Sequence, residues 1–293
     1  MQTRTLGNPT VGTVEIGVVG LGLMTFDQSG SQPREQLLDT VRAALDAGVT
    51  LFDTADAYGP GDEKGADAQG ENERLIASLL DELGVRDRVT LATKAGHVRT
   101  DGGGWATDSS ADHLHEAVDA SLQRLGVDVI ELWQHHRPDP AVPYEEVVGT
   151  LKEVYDAGKV RRVGLSNANP EQIRLAHSVL GDALVSVQNQ FSPAFRSSAP
   201  EIEVCEELGL IFLPWSPLGG LGGAKGLGDD HPAFAEIAAQ RGVSPQQVAL
   251  AWEIAQSPIV VPIPGAKRPS SIQDSARAAD LELSADELAR LDA

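Results

Sequence analysis

Four side chains of complementary chemistry stand at or just beyond the ends of three apolar runs. Asp53 closes Leu51-Phe52-Asp53 and Tyr58 follows five residues later. Lys94 closes Leu91-Ala92-Thr93-Lys94, and His136 follows Leu132-Trp133-Gln134-His135. A phenol with a pKa near ~10 gives up its proton poorly at neutral pH, yet reducing a carbonyl needs a donor for the developing alkoxide. A nearby ammonium stabilises the phenolate and pulls the tyrosine pKa down. Asp53 can hold Lys94 by a charge-assisted hydrogen bond, and a histidine can polarise the carbonyl. The set therefore suits acid–base work on one oxygen, with Tyr58 as the acid and base, Lys94 and Asp53 as its tuners, and His136 orienting the carbonyl.

These residues can act together only if the chain brings distant strand ends to one place. Short runs rich in branched residues recur at Val18–Gly20, Leu51–Asp53, Val89–Lys94, Val129–His136, Val160–Ser166, Leu184–Gln190, Leu210–Trp215 and Ile259–Ile263. Their length and composition fit strands buried on both faces. Helical stripes fill the gaps at Arg34–Ala47, Asn72–Leu83, Ala111–Leu125, Tyr144–Ala157, Pro170–Leu180 and Pro200–Leu208. Eight strand–helix units without a composition break predict a single (β/α)8 TIM barrel over residues 1–293, whose strand ends share one mouth. Strand alternation sends His135 and His136 to opposite faces.

An open dinucleotide-binding sheet is the rival architecture. Its glycine-rich turn should precede a helix, whereas Gly20-Leu21-Gly22-Leu23-Met24 leads into a polar loop and lacks a third glycine. Thr3–Leu6 and Thr13–Ile16 around Gly7-Asn8-Pro9 predict a β-hairpin plugging one barrel end. Gly102-Gly103-Gly104-Trp105 and Gly219–Gly228 are expected to be mobile loops on the active face. Helices are expected at Ser270–Leu281 and, as an extra C-terminal helix, at Ser284–Leu291, opened by a capping box at Ser284 and Glu287.

The formal net charge of −20 argues against general nucleic-acid binding and against anionic membrane surfaces. The single cysteine, Cys205, makes no internal disulfide and is expected to be a packed helix residue. No long apolar run or basic leader is present, so a cytoplasmic protein is expected. His, Asp and Glu lack metal-ligand spacing, so no metal is expected. No Gly-x-Ser-x-Gly elbow supports a nucleophilic serine. The acidic stretch Asp62-Glu63-Lys64 is expected to be a solvated face.

Taken together, the chain resembles the aldo-keto reductase superfamily over nearly its whole length. The resemblance rests on Asp53-x-x-x-x-Tyr58, Lys94 and His136, supported by Gly164-Leu165-Ser166-Asn167, Gln188-Asn189-Gln190-Phe191, Trp215-Ser216-Pro217-Leu218 and Pro262-Ile263-Pro264-Gly265-Ala266-Lys267. It selects His136 over His135. It implies NADP(H), with NAD(H) as the alternative, and a small carbonyl or alcohol as substrate, in a monomer or small homo-oligomer. It further implies that Ser166, Asn167 and Gln188 hold the nicotinamide carboxamide while Phe191 stacks on the ring. Gly22, Met24, Trp215, Ser216, Pro217, Leu218, Gly220 and Gly265 would line the cofactor channel. Lys267, Ser271, Asp274 and Ser275 would meet the adenosine end, although Ser271 stands where many relatives carry an arginine. His97 and Trp105 are candidates for substrate contact.

Two other functions fit parts of the pattern. A barrel lyase could use Lys94 as a Schiff base, leaving Asp53 and Tyr58 less well explained. Alternatively, the barrel could bind nicotinamide as a non-catalytic redox sensor for a partner.

Overall fold

The computed structural model describes residues 1–26, 30–60, 68–101 and 104–293. The chain opens with an antiparallel hairpin, β1 (Thr3–Asn8) and β2 (Gly12–Gly17), in register from Thr3↔Gly17 to Asn8↔Gly12. The parallel strands then alternate with helices. They are β3 (Leu21–Gly22), β4 (Leu51–Asp53), β5 (Thr90–Ala95), β8 (Leu132–His135), β9 (Val163–Ser166), β10 (Leu184–Gln188) and β11 (Ile211–Phe212). A second antiparallel pair, β6 (His97–Arg99) and β7 (Trp105–Thr107), forms a flap directly after β5. The seven parallel strands form one sheet in the order β11-β10-β9-β8-β5-β4-β3.

Eleven helices are present among the described residues: α1 (Arg34–Asp46), α2 (Glu71–Leu83), α3 (Ala111–Leu125), α4 (Tyr144–Asp156), α5 (Pro170–Leu180), α6 (Ala199–Leu208), α7 (Gly223–Asp230), α8 (Pro232–Arg241), α9 (Pro245–Gln256), α10 (Pro269–Ala276) and α11 (Ala285–Asp292). Their limits follow local chemistry. On α3, Ser110 accepts from the His113 N–H, Leu114, Ala117, Val118, Ser121 and Leu125 form the buried stripe, and Gly126 ends the helix at φ 67°. Capping boxes open α5 (Asn169 with Gln172) and α11 (Ser284 with Glu287).

Two apolar clusters sandwich the sheet. Phe52, Trp133, Val163, Leu165, Val187 and Phe212 face outward and join the helices, with Cys205 of α6 buried among them. Leu51, Ala92, Leu132, Val185 and Ile211 face inward and cluster with Leu6, Val11 and Ile16 of the hairpin. Side chains alternate along a strand, so the residue two positions on returns to the inner face. Leu51 is thus followed by Asp53, Ala92 by Lys94, and Leu132 by Gln134. The inner face turns from apolar to polar along the strands.

Three expectations are corrected. The first strand forms at Leu21–Gly22 rather than Val18–Gly20, because Leu21 and Gly22 are the residues that pair with Phe52 and Asp53. The segment 259–263 is not a continuous strand. Val261 and Ile263 donate to the carbonyls of Phe212 and Pro214, while Pro262 and Pro264 accept from Gly20 and Gly22, so residues 259–265 link both sheet edges. The two prolines have no N–H with which to complete a ladder. A Cβ on Gly22 would meet the Ile263 carbonyl oxygen at 2.7 Å, so this close approach requires glycine.

The third correction concerns the glycine-rich stretches. Gly219–Gly228 is largely helical, with α7 starting at Gly223, and Trp105 lies on β7 rather than in a loop. The sequence reading also placed no helix where α8 and α9 stand. Gly102, Gly103 and the acidic stretch 62–64 lie outside the described residues. Among the described residues no helix is long and apolar enough to cross a membrane, and no group of three or more His, Cys, Asp or Glu is placed to hold a metal ion.

Candidate active site

The polar ends of the inner face meet at Lys94. Its side chain is fully buried, and Nζ lies 2.6 Å from Asp53 Oδ2, 2.8 Å from the Thr54 carbonyl oxygen and 3.4 Å from the Tyr58 hydroxyl. Asp53 is fastened from its other side. Its Oδ1 accepts from Gln134 Nε2 at 3.0 Å and from Gln188 Nε2 at 2.9 Å. A buried carboxylate with one cation and two amide donors is satisfied, so the ion pair is held in one geometry.

His136 completes the group. Its ring meets Tyr58 edge-on at 5.6 Å and His97 edge-on at 4.9 Å. The Asn167 side chain donates to the His136 carbonyl oxygen at 2.9 Å. His135 points the other way, with Nε2 2.9 Å from Ser109 Oγ and its ring 5.8 Å from Tyr144. The structure thus brings Asp53, Tyr58, Lys94 and His136 together and sends His135 to the helical side.

Protonation follows from burial and neighbouring charge. Burial pushes the Tyr58 phenol above its ordinary pKa, and the charge of Lys94 only partly pulls it back. The sequence-based expectation of a lowered value is therefore reversed in this state, because desolvation outweighs the ammonium. Burial by itself would lower Lys94, but Asp53 and Tyr58 outweigh it and hold the ammonium above its ordinary range. Burial first, then Lys94, His97 and Arg137, keep His136 well below the usual histidine range. Burial, Arg137 and Arg99 lower His97 to about 4. At neutral pH the site holds a protonated phenol, an ammonium and two neutral imidazoles.

The expected cofactor residues fall into two groups. Ser166 and Gln188 are buried on the inner face beside this cluster, and Asn167 follows with φ 58°. Trp215 and Ser216, the latter at φ 53°, lie half-buried beyond β11, with Gln190 bridged to Trp215. Pro217 is buried, Leu218 is half-buried, and Gly220 turns at φ 81°. Met24 is half-buried after β3, and Gly265 bridges to Gly22. Lys267 is exposed and Ser271 half-buried at α10.

Phe191 does not fit its expected role. It is 2% exposed and lies flat on Trp252 of α9, centroids 5.3 Å apart and planes 6° apart, so it faces the helical layer. Asp274 is also committed elsewhere. Its oxygens accept from Ser244 Oγ and Gln247 Nε2, both at 2.6 Å, which ties α10 to the start of α9. Ser275 is buried with Ile272 and Ala276 on the core side of α10. Phe191 and Ser275 are buried, and half-buried Asp274 has both carboxylate oxygens engaged within the protein.

Gln134 was missed, although it stands two residues before His136 on the same strand face. Arg99 was missed as well. Its Nε and Nη2 donate to the carbonyls of Ala57 and Gly59 at 3.2 Å each, and its guanidinium lies 4.2 Å from the Trp105 ring centre. His97 and Trp105, expected near substrate, pack together at 4.7 Å, tilted by 31°, beside His136.

Fold and site define an α/β protein with a curled parallel sheet, carrying a buried Asp–Lys–Tyr–His cluster at the carboxyl ends of its strands. The Aldo/keto reductase family model matches residues 18–293. The chain is 36% identical over 274 residues to the 6-dehydroglucose reductase of Novosphingobium aromaticivorans, covering 90% of this chain and 87% of that protein. It is 32% identical over 302 residues to a probable aldo-keto reductase 1 of Glycine max, covering 94% and 84%. An aldo-keto reductase from Klebsiella pneumoniae, solved in complex with NADPH, is 27% identical with a TM-score of 0.80, over 100% of this chain and 95% of that one. This chain belongs to the aldo/keto reductase family.

Proposed function

We propose that residues 1–293 form one (β/α)8 barrel, with 259–265 as its eighth strand unit and the β1–β2 hairpin as its floor, catalysing NADP(H)-dependent interconversion of a carbonyl and an alcohol. The observation that carries this reading is Lys94 locked between Asp53 and the Tyr58 hydroxyl while His136 meets the same phenol edge-on. In reduction, Tyr58 gives its proton to the carbonyl oxygen as it becomes an alkoxide. Lys94 stabilises the phenolate left behind, and Asp53 with its two glutamines keeps Lys94 in place. Neutral His136 donates a hydrogen bond that fixes the carbonyl. In oxidation the same groups act in reverse.

The residues beside the cluster fit a nicotinamide dinucleotide. When bound, the cofactor supplies or accepts the hydride. Ser166, Asn167 and Gln188 would hold its carboxamide, and the half-buried indole of Trp215 replaces Phe191 as the ring platform. Ser216, Leu218 and Gly220 would line the diphosphate path. Lys267 and Arg268, exposed and without acidic partners among the described residues, suit a 2′-phosphate in a chain of net charge −20. The Klebsiella pneumoniae relatives solved with NADP and NADPH support this choice over NAD(H).

The raised pKa of Lys94 and its bond to Asp53 count against a Schiff-base lyase, which needs a free amine. A panel of aldehydes, ketones, keto sugars and alcohols with NADPH and NADH tests the proposal. Turnover is expected in wild type and is expected to fall by orders of magnitude in Tyr58→Phe. Cofactor binding without turnover across the panel would favour a redox sensor.

A further inference from the structure

We propose that Arg99 is a positioning residue for Tyr58, coupling the β6–β7 flap over the mouth to the proton donor; this rests on the reading of Tyr58 given above. Arg99 is the last residue of β6 and is 8% exposed. Two of its side-chain hydrogen bonds go to the carbonyls on either side of Tyr58, those of Ala57 and Gly59. Its backbone N–H donates to Gln69 Oε1 at 3.3 Å, just ahead of α2. The face of the same guanidinium lies on Trp105, its partner in the β6–β7 register.

The contacts close on themselves. Trp105 packs against His97 at 4.7 Å with the rings tilted by 31°, His97 meets His136 at 4.9 Å, and His136 meets Tyr58 at 5.6 Å. Tyr58 is bracketed by the carbonyls that Arg99 holds. The flap, the imidazoles and the phenol therefore form a ring around the reacting atoms, with Arg99 as the member that ties flap to backbone. A planar guanidinium can bond two acceptors in its plane and stack through its face. A lysine ammonium offers neither the span nor the face. The position of the Tyr58 hydroxyl depends on the backbone from 57 to 59, and a displacement of about 1 Å at a reacting group can cost ~100-fold in rate.

The experiment compares steady-state kinetics of Arg99→Lys, Arg99→Met, Trp105→Leu and the Arg99→Met/Trp105→Leu double variant, with Tyr58→Phe as reference and circular dichroism for folding. Arg99→Lys and Arg99→Met are expected to lower kcat by roughly 10- to 100-fold, to leave the Kd for NADPH unchanged, and to shift the pH limb due to Tyr58. The double variant should cost little more than the larger single one, because both break one ring. If the Arg99 variants do not fold, Trp105→Leu still decides, through a fall in kcat and a shift of the same pH limb. Wild-type kcat and pH profile in folded Arg99 variants, or in Trp105→Leu, would overturn the proposal, as would multiplicative losses in the double variant. An active Tyr58→Phe enzyme would instead overturn the reading of Tyr58.

Discussion

The ammonium of Lys94 stands 3.4 Å from the Tyr58 hydroxyl and 4.9 Å from the centre of its ring, so it approaches the phenol obliquely from beside its face. The charge is close enough to stabilise a phenolate when one forms, while burial keeps the resting phenol protonated. This is the condition that the role proposed for Tyr58 requires, an acid that holds its proton until the reacting oxygen takes it.

Tyr58→Phe removes only the hydroxyl and keeps the ring against His136. A fall in kcat of about 10²- to 10⁴-fold is expected, with NADPH affinity within roughly twofold of wild type by fluorescence titration. Substantial retained turnover would remove Tyr58 as proton donor.

Lys94→Met leaves the buried Asp53 carboxylate without its cation. Loss of one partner of a buried pair costs about 3–5 kcal/mol, to be read as a drop in urea midpoint. Adding Asp53→Asn should restore much of the stability and none of the activity. That separation would distinguish the structural role of the pair from its chemical one.

His136 and His97 are held neutral, the latter at about 4, by burial and neighbouring cations. Neither should contribute a limb to the kcat/KM profile between roughly pH 5 and 8. Replacing Arg137 with Gln removes one of those cations and should raise the His97 pKa, measurable by imidazole ¹⁵N shifts. An unmoved His97 titration would mean that Arg137 has no electrostatic reach to this ring.

Glu253 of α9 is fully buried, and neither carboxylate oxygen has a hydrogen-bond partner among the described residues; burial pushes its pKa well above the ordinary value. A group whose folded pKa is raised contributes stability in full below its unfolded pKa and loses it as pH rises through the folded pKa. Glu253→Gln should therefore match wild type near pH ~4 and exceed it increasingly in melting temperature toward neutrality and beyond. A difference in melting temperature independent of pH would show that the carboxyl does not titrate this way.

Phe191 and Trp215 separate packing from binding. Phe191→Leu should lower stability by about 1 kcal/mol through lost stacking on Trp252, with NADPH affinity intact. Trp215→Ala should weaken NADPH binding with little change in melting temperature. The reverse pattern would reinstate Phe191 as the ring platform.

Much of this molecule was legible in linear order. Branched apolar runs gave β4 at Leu51–Asp53 to the residue, and the Ser284–Glu287 box marked the start of α11, because pleat and capping are local properties. Asp53, Tyr58 and Lys94 could likewise be named from strand-end positions and residue types, whereas the choice of His136 over His135 came from the family resemblance. Packing decided the remainder. Phe191 looked like a cofactor platform until the fold placed Trp252 against its face, and Asp274 looked like a ligand contact until Ser244 and Gln247 claimed both its oxygens. The grip of Arg99 on the Tyr58 loop spans 40 to 42 residues and leaves no periodic trace. Even the direction of the Tyr58 pKa was a tertiary matter: a neighbour's charge can be inferred from residue type, but desolvation depends on how tightly the chain closes around the group.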